Sequence, residues 1–494
     1  MTSENSSTLS EHERQVVDAV PTGVLVGGSW RDPAGGGTFA VEDPSTGQVL
    51  TQVADGGAED ATAALDTCVT VQDEWAATPP RKRSDILRRA FELMVERADD
   101  LALLMTLEMG KPLAESRSEV TYAAEFFRWF SEQAVRIDGR FSRDPAGSGR
   151  LITMKQPVGP VLLITPWNFP LAMGTRKIGP AIAAGCSMVV KPAQLTPLSM
   201  LALADVLREA GLPDGVLNVV PSASASKTVA PLMADPRLRK VSFTGSTEVG
   251  QKLVEQSAQS LLRVSMELGG NAPFLVFEDA DLDAAVEGAV VAKMRNMGES
   301  CVAANRFHVQ ASVADEFARR LAERMGGMKV GRGTDDGVQV GPLISSDERD
   351  KVLALVEDAA SSGAKVLTGG GKPDGAGWFV QPTVLSDVPS EAKLLQQEIF
   401  GPVAPVATFE TEDEAIALAN GSEFGLVAYV FTESLRRGLR VSERLQTGMV
   451  GLNRGMVSNA AAPFGGVKMS GYGREGGPEG IEEYLSVKYV AVDL

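Results

Sequence analysis

The sequence predicts an α/β protein with two domains, each built on a parallel sheet, and a small β arm. Short apolar segments alternate with helical segments between Val161 and Ser257, and a second alternating set begins at residues 273–277. Such alternation is typical of a parallel sheet covered by helices on both faces. A chain of 494 residues is also too long for one ordinary core, so two or three domains are expected.

The composition is that of a folded globular protein and excludes several functional classes. Hydrophobic residues make up 44% of the chain and charged residues 22%. The net charge of −17 disfavours binding to nucleic acid or to anionic membranes, and no apolar run is long enough for a membrane span. Only two histidines occur, and His12 lies in the polar start of the chain. A serine triad or a histidine-rich metal site is therefore not expected.

Helical and strand segments are also predicted outside the two alternating sets. Apolar residues recur three and four positions apart between Pro79 and Arg136, with a break at residues 110–112. Residues 150–157 and 487–493 have the pattern of strands. They could pair with each other or with a partner subunit.

Cys301 is the candidate nucleophile, because a thiol supplies some thiolate near neutral pH. It follows a glycine and polar residues at the end of a predicted helix. Cys68 and Cys186 are interpreted as buried structural cysteines instead, since Cys186 enters an apolar strand. Three cysteines in a chain of this length do not form a disulfide framework, which fits a reducing, cytoplasmic compartment.

Glu267 is the candidate base, because a carboxylate must do this work where histidine is nearly absent. It ends an apolar strand, where an acid costs free energy unless it is paired or used. A capping or salt-bridged glutamate is an equally good interpretation on residue type alone. Asn168, between two prolines, could donate an N–H to a developing oxyanion, or could be an ordinary turn residue.

Two loops after predicted strands could meet a phosphate. The segment 243–250 joins a strand to a helix through small residues, although it lacks the Gly-x-Gly-x-x-Gly pattern. Lys191 ends another strand, where a cation could contact a ribose or a phosphate.

Together these segments resemble the aldehyde dehydrogenase superfamily over nearly the whole chain from about Val24. Any one landmark is modest evidence, but all of them in the family order are specific. They are Pro166-Trp167-Asn168-Phe169-Pro170, Lys191-Pro192-Ala193, Phe243-Thr244-Gly245-Ser246, Glu267-Leu268-Gly269-Gly270, Gly298 to Cys301, Glu398-Ile399-Phe400-Gly401-Pro402 and Pro463-Phe464-Gly465-Gly466.

The resemblance implies a Rossmann-type cofactor domain, an α/β catalytic domain and oxidation of an aldehyde with NADP or NAD. Cys301 would attack the aldehyde, Asn168 would hold the oxyanion, and Glu267 would activate water for thioester hydrolysis. The implied cofactor-binding residues are Thr165, Pro166, Trp167, Lys191, Gln194, Thr244, Gly245, Ser246, Val249, Leu268, Glu398 and Phe400.

The chain departs from the family pattern at two positions. Family members that prefer NAD often carry Glu where this chain has Gln194, so NADP use is plausible and NAD use stays open. Glu299 stands where many members have Gln.

Within the family, the chain most resembles the group that oxidises succinate semialdehyde. The residues that match the substrate-carboxylate grip of that group are Arg176, Arg295 and Ser458. Arginines exposed on helix surfaces are the alternative interpretation of the first two. Another carboxylated aldehyde such as glutarate semialdehyde, an uncharged aldehyde, or a non-catalytic structural role remains open.

The resemblance also implies a domain layout and a homodimer or homotetramer. The expected layout is a disordered tail at 1–19, a dinucleotide-binding domain at 20–139 and 159–269, a catalytic domain at 270–460, and an oligomerisation arm at 140–158 and 480–494. The expected small-molecule partner is the aldehyde, with no nucleic acid, membrane or metal.

Overall fold

The computed structural model describes residues 9–493. The helices in this range are α1 (Glu11–Asp18), α2 (Ala58–Ala77), α3 (Pro80–Glu96), α4 (Ala98–Met109), α5 (Leu113–Gln133), α6 (Ala172–Ala184), α7 (Leu198–Glu209), α8 (Ala225–Ala234), α9 (Thr247–Ser257), α10 (Leu282–Met294), α11 (Ala311–Gly326), α12 (Ser346–Ser361), α13 (Lys393–Gln396), α14 (Glu412–Asn420), α15 (Leu435–Arg444) and α16 (Glu479–Glu482). A short 3₁₀ turn, Arg295–Gly298, follows α10 directly.

The strands of the same range form two large sheets and three small ones. They are β1 (Val24–Val26), β2 (Ser29–Arg31), β3 (Thr38–Asp43), β4 (Gln48–Ala54), β5 (Arg140–Arg143), β6 (Gly149–Pro157), β7 (Val161–Ile164), β8 (Met188–Lys191), β9 (Leu217–Val219), β10 (Lys240–Thr244), β11 (Arg263–Glu267), β12 (Ala272–Val276), β13 (Ala304–Gln310), β14 (Lys365–Thr368), β15 (Thr383–Ser386), β16 (Val403–Phe409), β17 (Phe424–Gly425), β18 (Val427–Phe431), β19 (Met449–Leu452), β20 (Val467–Lys468), β21 (Gly471–Tyr472) and β22 (Leu485–Asp493).

The first large sheet has the strand order β2-β1-β9-β8-β7-β10-β11-β21, and its five central strands are parallel. Its register pairs Ile164 with Lys191 and Thr244 with Glu267. These residues end their strands on the same edge of the sheet, which is where ligands bind in open α/β sheets. The α/β prediction is confirmed, and this edge carries the polar residues singled out in the sequence.

The second large sheet has the order β14-β15-β16-β13-β12-β18-β19 and is parallel except at its β14 edge. Its core is aromatic, with the Phe274 ring stacked 4.9 Å from the Phe431 ring. Only residues 268–271 separate β11 of the first sheet from β12 of the second. Because β13 begins at Ala304 beside Ala272 of β12, Cys301 lies just before a central strand and close to the junction of the two sheets.

The two strand-like segments near residues 150 and 490 pair with each other. β22 and β6 are antiparallel over their full length, from Leu485 opposite Pro157 to Asp493 opposite Gly149, and β5 adds a third strand. This small sheet exposes large apolar side chains, including Phe141, Val487 and Tyr489.

The helical region before the first sheet contains one break more than the sequence predicts. Gly110 ends α4 in a left-handed conformation (φ 92°), as the break at residues 110–112 predicts. A further break at Arg97 separates α3 from α4.

The prediction of a disordered tail at residues 1–19 is wrong for its second half. Residues 11–18 form α1, which begins with a capping box between Ser10 and Glu13. Val17 is buried, and Arg332 contacts the Glu13 carboxylate at 3.0 Å. The polar, acidic composition of this segment predicted disorder, but α1 is an amphipathic helix whose apolar side packs on α4. Residues 1–8 lie outside the described part of the chain.

Candidate active site

A cavity of about 200 Å³ lies where the two large sheets meet. Most of the residues predicted from the sequence line it: Pro166, Trp167, Asn168, Arg176, Thr244, Gly245, Ser246, Glu267, Leu268, Arg295, Cys301, Glu398, Phe400 and Ser458. Four predicted residues do not line it, namely Thr165, Lys191, Gln194 and Val249. These four follow or end β7 and β8 or begin α9, on the same edge of the first sheet.

The chain approaches Cys301 through three consecutive residues with positive φ. Asn296 (φ 55°) and Met297 (φ 53°) are left-handed, and Gly298 (φ 80°) follows them. A Cβ at Gly298 would lie 2.2 Å from the carbonyl oxygen of Gly401, so no larger residue fits there. Non-glycine residues in this region store strain, which is found most often at functional sites.

The Cys301 thiol lies in a low-dielectric environment. Burial raises its pKa to about 12, and the guanidinium groups of Arg176 and Arg295 oppose that shift. The resting group is therefore the neutral thiol, and attack needs a proton acceptor. Cys68 and Cys186 are fully buried in the hydrophobic core, as predicted. Cys301 differs from them because it is half-buried and lines the cavity.

Glu267 ends β11 with its carboxyl group buried. Burial raises its pKa well above the ordinary value, and the neighbouring Glu475 carboxylate raises it further. Its Oε2 has no hydrogen-bond partner among residues 9–493. Gly465 approaches the same group so closely that a Cβ there would lie 2.9 Å from Oε1. A carboxylate whose pKa is raised in this way is a stronger base than an exposed one, which suits it to take a proton.

Glu475 links the candidate base to two cations that the sequence did not connect with it. It pairs with Arg176 and, at 2.5 Å, with Lys177, while Lys177 also donates to Ser242 Oγ at 2.9 Å. Although burial opposes ionisation, these cations hold the pKa of Glu475 below its usual value. Lys177 and Glu475 lie 298 positions apart, so no local pattern could reveal this pair.

Asn168 lines the cavity and is held at both ends. Its side-chain Nδ2 donates to the Glu299 carbonyl at 3.0 Å, which leaves the second N–H of the amide for a ligand. The backbone carbonyl of Asn168 accepts hydrogen bonds from Lys111 Nζ and from Asn296 Nδ2. The sequence motif identified Asn168 but gave no sign of Lys111.

The three predicted carboxylate-binding residues all line this cavity. Arg295 Nη1 donates to Ser458 Oγ at 2.9 Å. Arg176 lies with its guanidinium carbon 4.0 Å from the centre of the Phe464 ring, and its Nη2 has no partner among the described residues. Tyr122, which the sequence did not single out, also lines this cavity, and its buried hydroxyl has no hydrogen-bond partner within the described part of the chain. Arg176 is buried, so it is not an ordinary surface arginine.

Groups suited to a dinucleotide lie along the edge of the first sheet, in the cavity and next to it. Ser246 caps α9 by accepting from the Val249 N–H, and the buried Thr244 hydroxyl has no partner among residues 9–493. Burial lowers the pKa of Lys191 to about 8, and Asp55 opposes that shift. Gln194 is exposed. Free donors at a helix N-terminus and a buried lysine at the end of a strand fit the phosphates and ribose of a nicotinamide dinucleotide.

Glu398 and Phe400 enter the cavity from the second sheet. Glu398 accepts from the Gly270 N–H at 3.3 Å, and burial raises its pKa to about 7. Phe400 has a left-handed backbone (φ 55°) and meets the Trp167 ring edge to face at 5.3 Å. A carboxylate and a ring held in this way suit the ribose and the nicotinamide of the cofactor.

The chain belongs to the aldehyde dehydrogenase family, whose model matches residues 30–490. A succinate-semialdehyde dehydrogenase of Paenarthrobacter nicotinovorans is 61% identical, over 90% of this chain and 99% of that one. A glutarate-semialdehyde dehydrogenase of Pseudomonas putida is 49% identical, over 95% and 97%. A crystal structure described as an E. coli NADP-dependent enzyme superposes with a TM-score of 0.95 at 49% identity, covering 96% of this chain and 98% of that one.

The family membership confirms that this chain is an enzyme of the aldehyde dehydrogenase type using NADP or NAD. None of the helices between residues 9 and 493 is both long and apolar enough to cross a membrane.

Proposed function

We propose that this aldehyde dehydrogenase oxidises succinate semialdehyde to succinate. The observation that carries the proposal is a buried Arg176 whose Nη2 has no hydrogen-bond partner among residues 9–493, in the cavity that also holds the Arg295–Ser458 pair and Cys301. A buried guanidinium with a free N–H is costly unless a ligand meets it, and a carboxylate matches its geometry. The relative from Paenarthrobacter, which carries this substrate in its name, supports the choice.

The first half of the reaction forms a thioester on Cys301. The Cys301 thiol releases its proton to solvent, and the thiolate sulfur forms a bond with the aldehyde carbon as the carbon–oxygen π bond opens. The carbonyl oxygen becomes an oxyanion that the free N–H of Asn168 and the backbone N–H of Cys301 hold. Glu398 and Phe400 would hold a bound nicotinamide cofactor beside this carbon, and the cofactor would supply the acceptor for its hydride.

The second half releases the acid. Glu267 takes a proton from water as the water oxygen bonds to the thioester carbon, and the carbon–sulfur bond then breaks to return the thiolate. The high pKa of Glu267 suits this role, because burial and the charge of Glu475 make its carboxylate a stronger base than an exposed one.

Cofactor choice depends on Gln194 in this proposal. A neutral, exposed side chain three residues after Lys191 puts no negative charge against a 2′-phosphate. NADP is therefore the favoured cofactor, with NAD as an accepted second. The NADP dependence stated for the similar E. coli structure supports this order.

Glutarate semialdehyde is the second candidate substrate. It carries the same aldehyde and the same terminal carboxylate on a chain one methylene longer, and a relative at 49% identity bears its name. One methylene changes transition-state binding by only about 1–3 kcal/mol. Arg176 and Arg295 could therefore bind the carboxylate of either substrate, and the length of the cavity would determine which of the two is preferred.

The small sheet of β5, β6 and β22 is the proposed oligomerisation arm. Its exposed Val487 and Tyr489 lie on one face and its exposed Phe141 on the other, and within the described residues both edges of this sheet are free, which favours a partner subunit. A homodimer or homotetramer in the cytoplasm is proposed, and the three unpaired cysteines fit a reducing compartment.

A substrate panel tests the proposed function. Initial rates of nicotinamide reduction are measured with succinate semialdehyde, glutarate semialdehyde and butanal, each with NADP and with NAD. We expect the highest kcat/KM for succinate semialdehyde with NADP. A higher kcat/KM for butanal than for both carboxylated aldehydes would overturn the proposed substrate, while the aldehyde dehydrogenase activity itself would stand.

A further inference from the structure

Lys111 is a buried lysine in the loop between α4 and α5, outside both large sheets. Its side chain is 1% exposed and forms a salt bridge with Glu119 of α5, whose side chain is equally buried. Its ammonium lies 4.3 Å from the centre of the Phe169 ring. Neither charged residue of this pair has a part in the proposed chemistry, although both lie behind the loop that contains Asn168.

Lys111 donates to the backbone carbonyl of Asn168 at 2.8 Å. The same carbonyl accepts from Asn296 Nδ2 at 2.9 Å, and the Asn168 side chain donates to the Glu299 carbonyl at 3.0 Å. Asn296 also donates to that Glu299 carbonyl at 2.9 Å. Two donors therefore hold the backbone of Asn168, and its side chain is attached to the loop that leads to Cys301.

Glu119 extends this network to the next helix. Its Oε1 accepts from the N–H groups of Leu171 and Ala172 at 3.1 Å each, at the N-terminus of α6. Its Oε2 meets Lys111. The pair thus fixes residues 168–172 from both sides, with Lys111 on the carbonyl of Asn168 and Glu119 on the start of the helix that carries Arg176.

Such a pair is an expensive way to stabilise a fold. Removing two charges from water costs several kcal/mol each, and apolar replacements of similar volume are often as stable or more so. What the pair supplies instead is a fixed direction, because a charged donor at 2.8 Å holds a carbonyl within a narrow range of positions. A displacement of about 1 Å in a reacting group can lower a rate by about 100-fold.

We propose that Lys111, held by Glu119, is a positioning residue that keeps the Asn168 amide in place for the oxyanion. The proposal rests on the proposed role of Asn168. It predicts that the Lys111–Glu119 pair affects the rate through Asn168 and has little effect on the rate once the Asn168 amide is absent.

A double-mutant cycle tests this dependence. Lys111→Met and Glu119→Gln are made together, so that neither buried charge is left alone, and the pair is combined with Asn168→Ala. The rate is the single-turnover rate of nicotinamide reduction with saturating succinate semialdehyde and NADP, which reports only the steps up to hydride transfer. Circular dichroism and thermal unfolding check that each variant is folded.

A matched control comes from a second buried lysine. Lys240 is also fully buried, contacts the Glu483 carboxylate at 3.6 Å and lies 5.1 Å from the centre of the Tyr484 ring, but it sits at the opposite end of β10 from Thr244. Lys240→Met with Glu483→Gln therefore removes a second buried lysine together with its carboxylate partner, whose side chain is 21% exposed, without touching the Asn168 loop.

We expect Asn168→Ala to lower the rate by about 100-fold or more, the usual cost of an oxyanion donor. The Lys111–Glu119 double variant should lower it about tenfold in the parent and less than about twofold in Asn168→Ala, with KM values within about threefold. The Lys240–Glu483 control should leave the rate within about twofold.

Equal losses in the two backgrounds would overturn the proposal and give Lys111 a structural role only. An unchanged rate in the Lys111–Glu119 variant, with a large loss in Asn168→Ala, would also overturn it and leave the oxyanion role of Asn168 intact. An unchanged rate in Asn168→Ala would remove that oxyanion role and the positioning role with it.

Discussion

The Arg295 guanidinium donates to the Ser458 hydroxyl at 2.9 Å across 163 positions of sequence. The contact joins the 3₁₀ turn before Cys301 to the loop after β19, and both residues line the cavity. Phe169 flanks the same guanidinium, with its ring centre 4.8 Å from the guanidinium carbon. A charge held in this way can recognise the far end of a substrate while the aldehyde end meets Cys301.

Arg295→Ala should change substrate preference far more than general activity. We expect kcat/KM for succinate semialdehyde to fall about 100-fold, because a charge-assisted hydrogen bond to the substrate carboxylate is lost. Butanal has the same carbon chain and no carboxylate, so its kcat/KM should stay within about threefold. Steady-state kinetics with both aldehydes measure the ratio. Equal losses for both would mean that Arg295 supports the active site instead of binding the carboxylate.

Gln194→Glu should move the cofactor preference towards NAD. A carboxylate at this exposed position would repel a 2′-phosphate and could accept hydrogen bonds from a ribose 2′-hydroxyl. We expect kcat/KM for NADP to fall at least about tenfold while that for NAD holds or rises. Gln194→Ala is the control, since it removes the side chain without adding a charge. If the ratio of kcat/KM for NADP to that for NAD did not change, residues other than Gln194 would determine the cofactor preference.

Glu299→Gln should make stability less dependent on pH. Burial raises the pKa of Glu299 well above its ordinary value, and its Oε2 has no partner among the described residues. The folded protein therefore keeps a proton that the unfolded chain loses once the pH passes the ordinary value. Stability falls from that pH upward, by at most about 1.4 kcal/mol per pH unit for one proton, until the folded group ionises.

Urea unfolding at fixed protein concentration, from pH 5 to pH 9, measures this effect. The parent should lose more stability over the range than Glu299→Gln, while the two should be closest at the acidic end. The carboxamide can still accept from the Ile344 N–H, which Glu299 Oε1 meets at 3.0 Å. A variant with the same pH slope as the parent would show that Glu299 is ionised in the folded protein.

Gly298→Ala should damage the active site through backbone strain and a collision. The position has φ 80°, and the new Cβ would meet the Gly401 carbonyl oxygen at 2.2 Å, so residues 296–301 must shift. We expect kcat to fall at least about 100-fold. Gly363→Ala is the matched control, because it has a positive φ (110°) and open space around it. Its kcat should be unchanged, and equal effects of the two variants would contradict the collision.

The sequence predicts the residues that carry the chemistry better than the distant residues that contact and position them. Cys301, Glu267 and Asn168 lie in short contiguous motifs after predictable elements, and the parallel register then brings two strand ends together without further information. Lys111 and Glu475 were missed because their partners lie far along the chain and no periodicity connects a loop lysine to a distant carbonyl. Arg295 and Ser458 were found only through the family resemblance.

The start of the chain was mispredicted for a different reason. Its composition is polar, which predicts disorder. Helix α1 is stabilised because Val16 and Val17 pack against α4, and this tertiary contact cannot be read from the local sequence.

The most direct test of the central claim is a single-turnover experiment on Glu267→Gln with succinate semialdehyde and NADP. We predict a burst of nicotinamide reduction of about one per active site, followed by slow turnover, because the thioester forms but water is not activated. Mass spectrometry of the quenched protein should find one succinyl group on the peptide that contains Cys301. A full steady-state rate, or a succinyl group on another residue, would contradict the assignment of Cys301 as nucleophile and Glu267 as the base that hydrolyses its thioester.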